Sequence, residues 1–557
     1  MKKYSIIAVL TVGLLAVNLT SCKKNLVLAP NDQVTSLAVF STPLGYEQAM
    51  AKVYGAFALT GQSGGGGGQP DVTINNINEG ASDFFREMWD VQELTTDEAV
   101  ITYGDPGVQD LHNMVWSSGN QVLQGLYYRS LFQITLVNNF LQQSTPALLA
   151  SRNITGADAT NIGYFRAEAR FLRAYQYWIL MDIFGNPPFV TDDTQIGSAI
   201  PKQISRAALY AYIVSELKAI DPLMQKPNLN QYGRADEAAV WALLARVYLN
   251  AAVYTGTPDY NNAITYAQKV ITTPGYGLIP NFTKLMLADD NLNSIPGGGK
   301  TSEFIFTINY DGLKTQTYGG TQYLTHAPVG GSMPAVKFGE SGGYAGSRTT
   351  SNIIALFPTP PTTDTTNFPN NNNPDTRAQF WYPGQKLVIS SLTTFTDGIG
   401  VTKFRNVTHT GAQGQDPTFS DIDMPLFRLP EMYLIYAEAV LRGGTTGDAA
   451  TALNYVNLIR TRAYGGSIAG NIGQPGQPPQ LTLQLILDER ARELFWEGFR
   501  RTDLVRYGLF TSASYLWPFK GGAPTGTGVP DYRNLMPIPA SDLGANPNLK
   551  QNPGYGN

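Results

Sequence analysis

Cysteine is all but absent: Cys22 is the single thiol in a chain of 557 residues. With no second cysteine there is no internal disulfide, and with Cys22 set aside there is no thiol nucleophile and no thiolate set for zinc. Histidine is nearly as scarce. His112, His326 and His409 stand far apart without ligand-like neighbours, which argues against a histidine metal site. Charge is sparse and almost balanced, with a formal net of −4 and a sequence pI near 5.6. A nucleic-acid partner, which needs a concentrated basic stripe, is therefore not expected. Beyond the first residues no apolar run is long enough to span a bilayer.

The lone cysteine has a context. Lys2 and Lys3 give a positive start, Ile6 to Val17 is apolar but short for a spanning helix, and Leu19-Thr20-Ser21-Cys22 follows. This is the layout of an export signal ending in a lipobox, where bacterial lipoproteins are cut and acylated. Residues 1–21 are expected to be a signal peptide and Cys22 the lipid attachment point. At about 0.8 kcal/mol per buried methylene, several acyl chains hold a protein on a membrane. The rest of the chain is then a tethered body.

That body is rich in helical periodicity. Apolar residues recur at helical spacing from Tyr46 to Leu59 and from Asn120 to Leu141. Between Tyr164 and Phe189, Phe165, Ala169, Leu172, Tyr175 and Ile179 share one helical face. Arg166, Glu168, Arg170 and Arg173 are spaced to pair across turns, and Gly185 and Pro187 end the helix. Two further helix pairs, Asp236 to Ile271 and Pro430 to Ala463, resemble tetratricopeptide repeats. The first has small residues Ala245, Ala263 and Ala267 at its expected crossing, beside Tyr248 and Tyr260. From Glu303 to Pro425 the character changes. "EFIFTINYDG" predicts a strand, and runs of Gly, Thr, Asn, Pro and Ser follow that bury too little apolar surface to form core elements. With 30 tyrosines and 56 glycines, loops carrying exposed tyrosine on a rigid scaffold are one natural reading.

Several motifs invite chemistry and lack a required part. Gly64 to Gly68 has no following Gly-Lys-Ser/Thr. In "GGGKT", Gly297 to Thr301, Ser294 replaces the first glycine, and a strand rather than a helix comes next. The run from Asp289 begins like a calcium loop, but Ser294 and Lys300 replace the glycine and the bidentate glutamate. A looser calcium site built from loops stays open; no other cofactor is expected. Leu485 to Phe510 reads as one helix with Glu489, Glu493 and Glu497 along a face. Paired carboxylates serve glycoside hydrolysis, yet Arg490, Arg492, Arg500 and Arg501 are interleaved with them, which favours a salt-bridged structural helix.

"LILDERARELFWEGFRRTDLVRYG" followed by "NLMPIPASDLGANPNLKQNPGY" resembles the closing signature of the SusD/RagB family of lipid-anchored, surface-exposed glycan-binding proteins. "EGASDFFREMWDVQELTTDEA", "RAEARFLRAYQYWILMDIFGNPPF", "GRADEAAVWALLARVYLNAAVYTG", "YDGLKTQTYGGTQYL" and "DMPLFRLPEMYLIYAEAVLRGG" follow in family order, so the resemblance covers nearly all of residues 22–557. It implies a mostly α fold: a tetratricopeptide-like scaffold, mainly 120–275 and 425–510, supporting a loop-rich, glycan-binding part with short strands, mainly 60–118 and 303–424, in one domain.

The resemblance also implies a location on the outer face of the outer membrane. Its implied partner is a SusC-type TonB-dependent transporter, which such a lipoprotein covers as a lid and supplies with oligosaccharide. In a starch-binding member of the family an arc of aromatic side chains follows the curve of an α-glucan. Its positions fall here on Tyr103, Tyr318 and Tyr344, with Arg86 matching an arginine that bonds sugar hydroxyls and Asp105 where a polar contact is expected, in a loop one residue shorter. Tyr103 and Tyr344 stand where that member has tryptophan. Tyrosine still offers an apolar ring to a sugar face and adds a hydroxyl. A starch-type α-glucan is the expected ligand and no enzymatic activity is expected. The alternatives are a surface glycoside hydrolase using carboxylates of the glycine-rich half, or a lid that gates the transporter with little sugar affinity of its own.

Overall fold

Most of the long helices begin where a short polar side chain can accept their first free N–H groups. In the computed structural model the described residues are 36–61, 70–72, 80–194, 200–292, 302–358, 368–369 and 372–556. Cys22 and the export signal, the Gly64–Gly68 and Gly297–Thr301 runs, the end of the Asp289 loop and much of the stretch from Pro358 to Asn373 lie outside them. Thr42 caps α1 (Pro43–Ala58), Asp83 caps α2 (Phe84–Glu93) and Asn120 caps α3 (Gln121–Gln143). Helix α4 (Gly156–Ile183) ends as expected before Gly185, whose φ of 75° only glycine adopts at no steric cost. Ser205, Asp236 and Asp259 cap α5 (Arg206–Ile220), α6 (Glu237–Leu249) and α7 (Tyr260–Ile271). After the short α8 (Gly320–His326), α9 (Leu429–Leu441) carries Pro430 in its first turn. Asp448 caps α10 (Ala449–Ala463), Thr482 caps α11 (Leu483–Glu493), and α12 spans Arg500–Arg506.

The helices stack in pairs: α3 with α4, α6 with α7, α9 with α10. The pairs are joined edge to edge, α7 lying on α9 and α5 on α4. Ala245, Ala263 and Ala267 are fully buried between α6 and α7, and the Tyr248 and Tyr266 rings stack 5.7 Å apart beside them. Among the described residues there are also four two-stranded antiparallel ladders. They are β1 (Val100–Ile101) with β5 (Ser347–Arg348), β2 (Pro188–Phe189) with β3 (Lys202–Gln203), β4 (Phe304–Ile308) with β8 (Met424–Arg428), and β6 (Phe380–Lys386) with β7 (Gly398–Val401). The predicted strand is β4. One hydrophobic core runs through helices and strands alike, and Val329, Met333, Phe338 and Trp381 form a small separate cluster under the loops. The mostly helical fold with short strands read from the sequence is the one found.

Two expectations are corrected. Helix α4 is not one apolar face with charges pairing along the other: from Phe171 to Ile183 every side chain is buried, because α1, α3, α5 and α6 close around it. Its charges reach other elements. Arg170 and Arg173 both bind Glu216 of α5, Arg173 also binds Asp192, Glu168 holds Arg234, and Arg166 donates to the Leu141 carbonyl at 2.6 Å. Nor is Leu485 to Phe510 one helix. Trp496 and Gly498 take φ of 63° and 84°, and the N–H groups freed by the break are taken up by α2 and the turn after it. Trp496 N donates to Glu98 at 3.0 Å and Gly498 N to Glu93 at 2.6 Å.

The three glutamates nevertheless converge, on arginines from elsewhere in the chain. Arg428, at the end of β8, donates to Glu303 (2.9 Å), Glu493 (2.5 Å) and Glu497 (2.6 Å). Arg377 binds Glu489, Glu493 and Asp375; Arg460 and Arg492 bind Glu489, Arg462 binds Glu303 and Glu493, and Lys403 binds Glu497. Burial alone would push the Glu489 and Glu493 carboxyls up, but the surrounding arginines outweigh it and hold both well below the usual carboxylate range. These carboxylates are structural.

Removing one member of such a buried network strands the charges left behind. Arg428→Met is expected to lower stability by about 3–5 kcal/mol in urea denaturation. Lys314→Met, which breaks the exposed Lys314–Asp311 pair, should change it by less than about 1 kcal/mol. Equal effects would mean that the buried network carries no special weight.

Candidate functional site

A two-residue ladder brings two distant loops side by side. Val100 and Ile101 pair with Arg348 and Ser347, Thr102 N donates to Gly346 O at 3.2 Å, and Thr102 Oγ1 donates to Ala345 O at 2.9 Å. Tyr103 therefore follows β1 directly onto the loop carrying Tyr344. A Cβ added to Gly346 would lie 2.6 Å from Tyr103 Cζ, so the tyrosine ring rests on bare backbone there. The Tyr344 loop is hung on α8 and the residues after it, with Tyr344 N donating to His326 O at 2.9 Å and Gly346 N to Ala327 O at 2.7 Å.

Helix α8 is the bed of the site. Gln322 and His326, four residues apart, share the face toward Tyr344. Gln322 Nε2 donates to the Tyr344 hydroxyl at 2.9 Å, and the His326 ring stacks on the Tyr344 ring at 4.8 Å and 21°. The histidine is held in turn by the carbonyls of Gly342 (2.7 Å) and Thr418 (3.0 Å) and by Glu340. On another side of α8, Tyr323 lies under Arg86, whose guanidinium carbon is 4.4 Å from the ring centroid, and donates to Asp90 at 2.9 Å. Asp83 ties α2 to this bed, since one carboxylate oxygen accepts from both Arg86 N (3.0 Å) and Gly320 N (2.9 Å).

The expected residues meet on this surface. Tyr318 is 37% exposed and leans on Phe419 at 5.4 Å; Tyr344 is 43% exposed, Tyr103 is half-buried and Asp105 is exposed. Arg86 is buried with no side-chain hydrogen-bond partner among the described residues. Burial disfavours its charge, but Tyr323, Asp90, Tyr103 and Asp105 outweigh that and raise its pKa. Tyr344 feels the charge or dipole of Tyr318 and Arg86, and Tyr103 that of Arg86, Tyr344 and Asp105. The surface therefore offers flat apolar rings, hydroxyls and one guanidinium. Behind it Asp90 is pushed up to about 7 by burial, against the opposing pull of Arg86 and the Tyr323 hydroxyl.

Tyr323, Gln322, His326 and Phe419 were not singled out in the sequence. The first three carried a signal in "TYGGTQYLTH", where helical spacing after two glycines puts them on defined faces. Phe419 carried none. Among the described residues no group of three or more His, Cys, Asp or Glu side chains is placed to hold a metal ion, and no helix is long and apolar enough to cross a membrane.

Residues 302–555 match the family model described as the SusD family, and residues 74–249 match one described as starch-binding, associating with the outer membrane. The chain is 34% identical over 588 aligned positions to the starch-binding protein SusD of Bacteroides thetaiotaomicron, covering 99% of this chain and 98% of that one. It is 24% identical to SusD-like protein P38 of Formosa agariphila, over 81% of this chain and 83% of that one. Among solved structures it resembles a SusD superfamily protein from Bacteroides vulgatus (TM-score 0.65, 21% identity, 93% of this chain and 100% of that one). It also resembles surface glycan-binding protein A from Bacteroides thetaiotaomicron in complex with laminarihexaose (TM-score 0.64, 21% identity, 91% and 98%). At those identities the solved structures speak to the fold.

The Asp90 environment has a pH signature. Its folded pKa of about 7 lies above the unfolded value of about 3.9, so the folded chain holds this proton more tightly. The resulting stability is complete below about pH 4 and is lost as pH rises through about 7. Relative to Asp90→Asn, the wild-type protein is expected to lose a few kcal/mol between pH 4 and pH 8 in denaturant titrations. A difference independent of pH would mean that Asp90 is ionised in the fold throughout.

Proposed function

Since the chain belongs to the SusD family, we propose that it is a glycan-binding lipoprotein of the outer membrane. It captures oligosaccharides at the cell surface, a starch-type α-glucan in the first place, and passes them to a SusC-type TonB-dependent transporter. Cys22 is the anchor, and the reading requires no catalysis and no cofactor. The observation that carries it is the surface formed by Tyr103, Tyr318 and Tyr344 around Arg86. Sugar rings have apolar C–H faces that pack on aromatic rings, and hydroxyls that pair with tyrosine, guanidinium and, at Asp105, carboxylate. The relative named for starch binding, alike over nearly its whole length, supports an α-glucan. The neighbour solved with laminarihexaose supports the wider class of neutral glucans.

The rings are held before any ligand arrives. Tyr344 is fixed by Gln322 and His326, and Tyr103 by β1 and Gly346, so little ordering cost falls on the protein and most falls on the sugar. Modest affinity, with selection for glycan curvature, is what such a platform delivers.

The test is retardation of the chain lacking residues 1–22 in native gels containing amylopectin, pullulan, a β-glucan or a fructan. Slowing by amylopectin or pullulan is expected. Tyr344→Ala and Tyr318→Ala should each weaken it about tenfold, or about 1.4 kcal/mol, and Tyr103→Ala with Tyr344→Ala should abolish it. Slowing by another polysaccharide alone would overturn the α-glucan assignment, and unchanged retardation in every tyrosine variant would move the site elsewhere. Purified protein incubated with the retarding polysaccharide is expected to release no reducing sugar; release would favour a hydrolase.

A further inference from the structure

A cavity of about 300 Å³ is lined by α1, Phe165 of α4, the 231–234 turn, β4 and Thr315 of the loop that carries Tyr318. We propose that it is a second carbohydrate subsite, built from residues separate from the tyrosine surface and taking an uncharged mono- or disaccharide unit. The proposal rests on the glycan-binding reading for the class of ligand, but on different side chains for its site.

The first argument is the lining. Phe165, Phe306 and Ile308 form an apolar floor, while Glu47, Gln231 and Asn309 stand exposed at the rim with hydrogen-bonding groups. Among the described lining residues the one cation, Arg234, is already committed: its Nε and Nη2 bind Glu168, and its guanidinium lies 4.7 Å from the Phe165 ring centroid. The Tyr54 hydroxyl donates to the same glutamate at 2.6 Å, which fixes that wall. Among the described lining residues no free positive charge is left to select an anion. An apolar floor with a hydroxyl-binding rim fits a neutral sugar ring, and the volume is at the lower end for small-ligand sites.

The second argument is Gly55. It lies within α1, where glycine costs about 1 kcal/mol relative to alanine, and a Cβ built on it would meet nothing within 4 Å. Neither a tight neighbour nor a positive φ requires glycine there. Its effect on the structure is to leave the cavity wall open. The third argument is position. Thr315 lines the cavity and Tyr318 follows three residues later, so their Cα atoms lie within about 11 Å. A glycan on the tyrosines is therefore close to the second subsite.

Equilibrium dialysis of radiolabelled maltose, cellobiose and laminaribiose against the chain lacking residues 1–22 tests this. Two equivalents of one disaccharide per chain are expected. Gly55→Leu, and independently Ala51→Trp one turn earlier on the same wall, should each remove one equivalent while leaving the thermal midpoint unchanged or raised. Tyr344→Ala should remove the other. Unaltered stoichiometry in both cavity variants overturns the subsite, as does failure of all three disaccharides to bind the wild-type chain. Loss of an equivalent in the cavity variants but none in Tyr344→Ala would sustain the subsite and overturn the tyrosine surface.

Discussion

The buried charge network around Arg428 and Glu493 is the constraint on which the remaining architecture depends. It joins the ends of β4 and β8 to α10, α11 and the strand region at Arg377 in one buried cluster. Charges taken out of water at this depth are tolerable only when every partner is in place, so the network fixes where those segments sit relative to one another. From it the constraint passes to the turn at Trp496, whose indole N–H and backbone N–H both donate to Glu98. Glu98 sits two residues before the start of β1. The strand pair that sets Tyr103 beside the Tyr344 loop is thus two short steps from the central ion cluster.

This dependence explains what could and could not be read from the sequence. Asp236, Asp259 and Asp448 cap their helices locally, within three residues of the N–H groups they accept from, and the structure identifies them as caps. The helix pairs were legible from their apolar period. Charge pairing was legible in part: Arg492 does bind Glu489 one turn away, as the interleaving suggested, but Arg377, the other partner of Glu489, comes from more than a hundred residues earlier and left no local signal. The break at Trp496 was hidden for the same reason. A tryptophan at positive φ is costly in isolation, and it is stabilised here by Glu93 and Glu98, some 400 residues earlier.

The candidate site followed a similar division. Tyr103, Tyr318, Tyr344, Arg86 and Asp105 came from resemblance to a family, and composition alone would have left the three aromatics among thirty tyrosines of no distinction. The bed beneath them came only from the structure. Tyr323 and His326 do not face solvent, yet they decide how firmly Arg86 and Tyr344 are held. A surface of this kind has its specificity in the exposed rings and its rigidity in the ones underneath.

The ladder between β1 and β5 also orders events in time. Tyr103 and Tyr344 are joined by contacts spanning more than 240 residues, and the Glu98 to Trp496 bonds that brace them span 398. At synthesis rates of 5–20 residues per second, Trp496 is made about 20–80 s after Glu98. Tyr344 is made about 8–30 s before Trp496, and through that shorter interval all three tyrosines exist without the bracing that sets them side by side. The candidate surface therefore depends on the C-terminal part of the chain: a molecule shortened ahead of Trp496 would keep Arg86, Tyr103, Asp105, Tyr318 and Tyr344 and lack the bracing that aligns them.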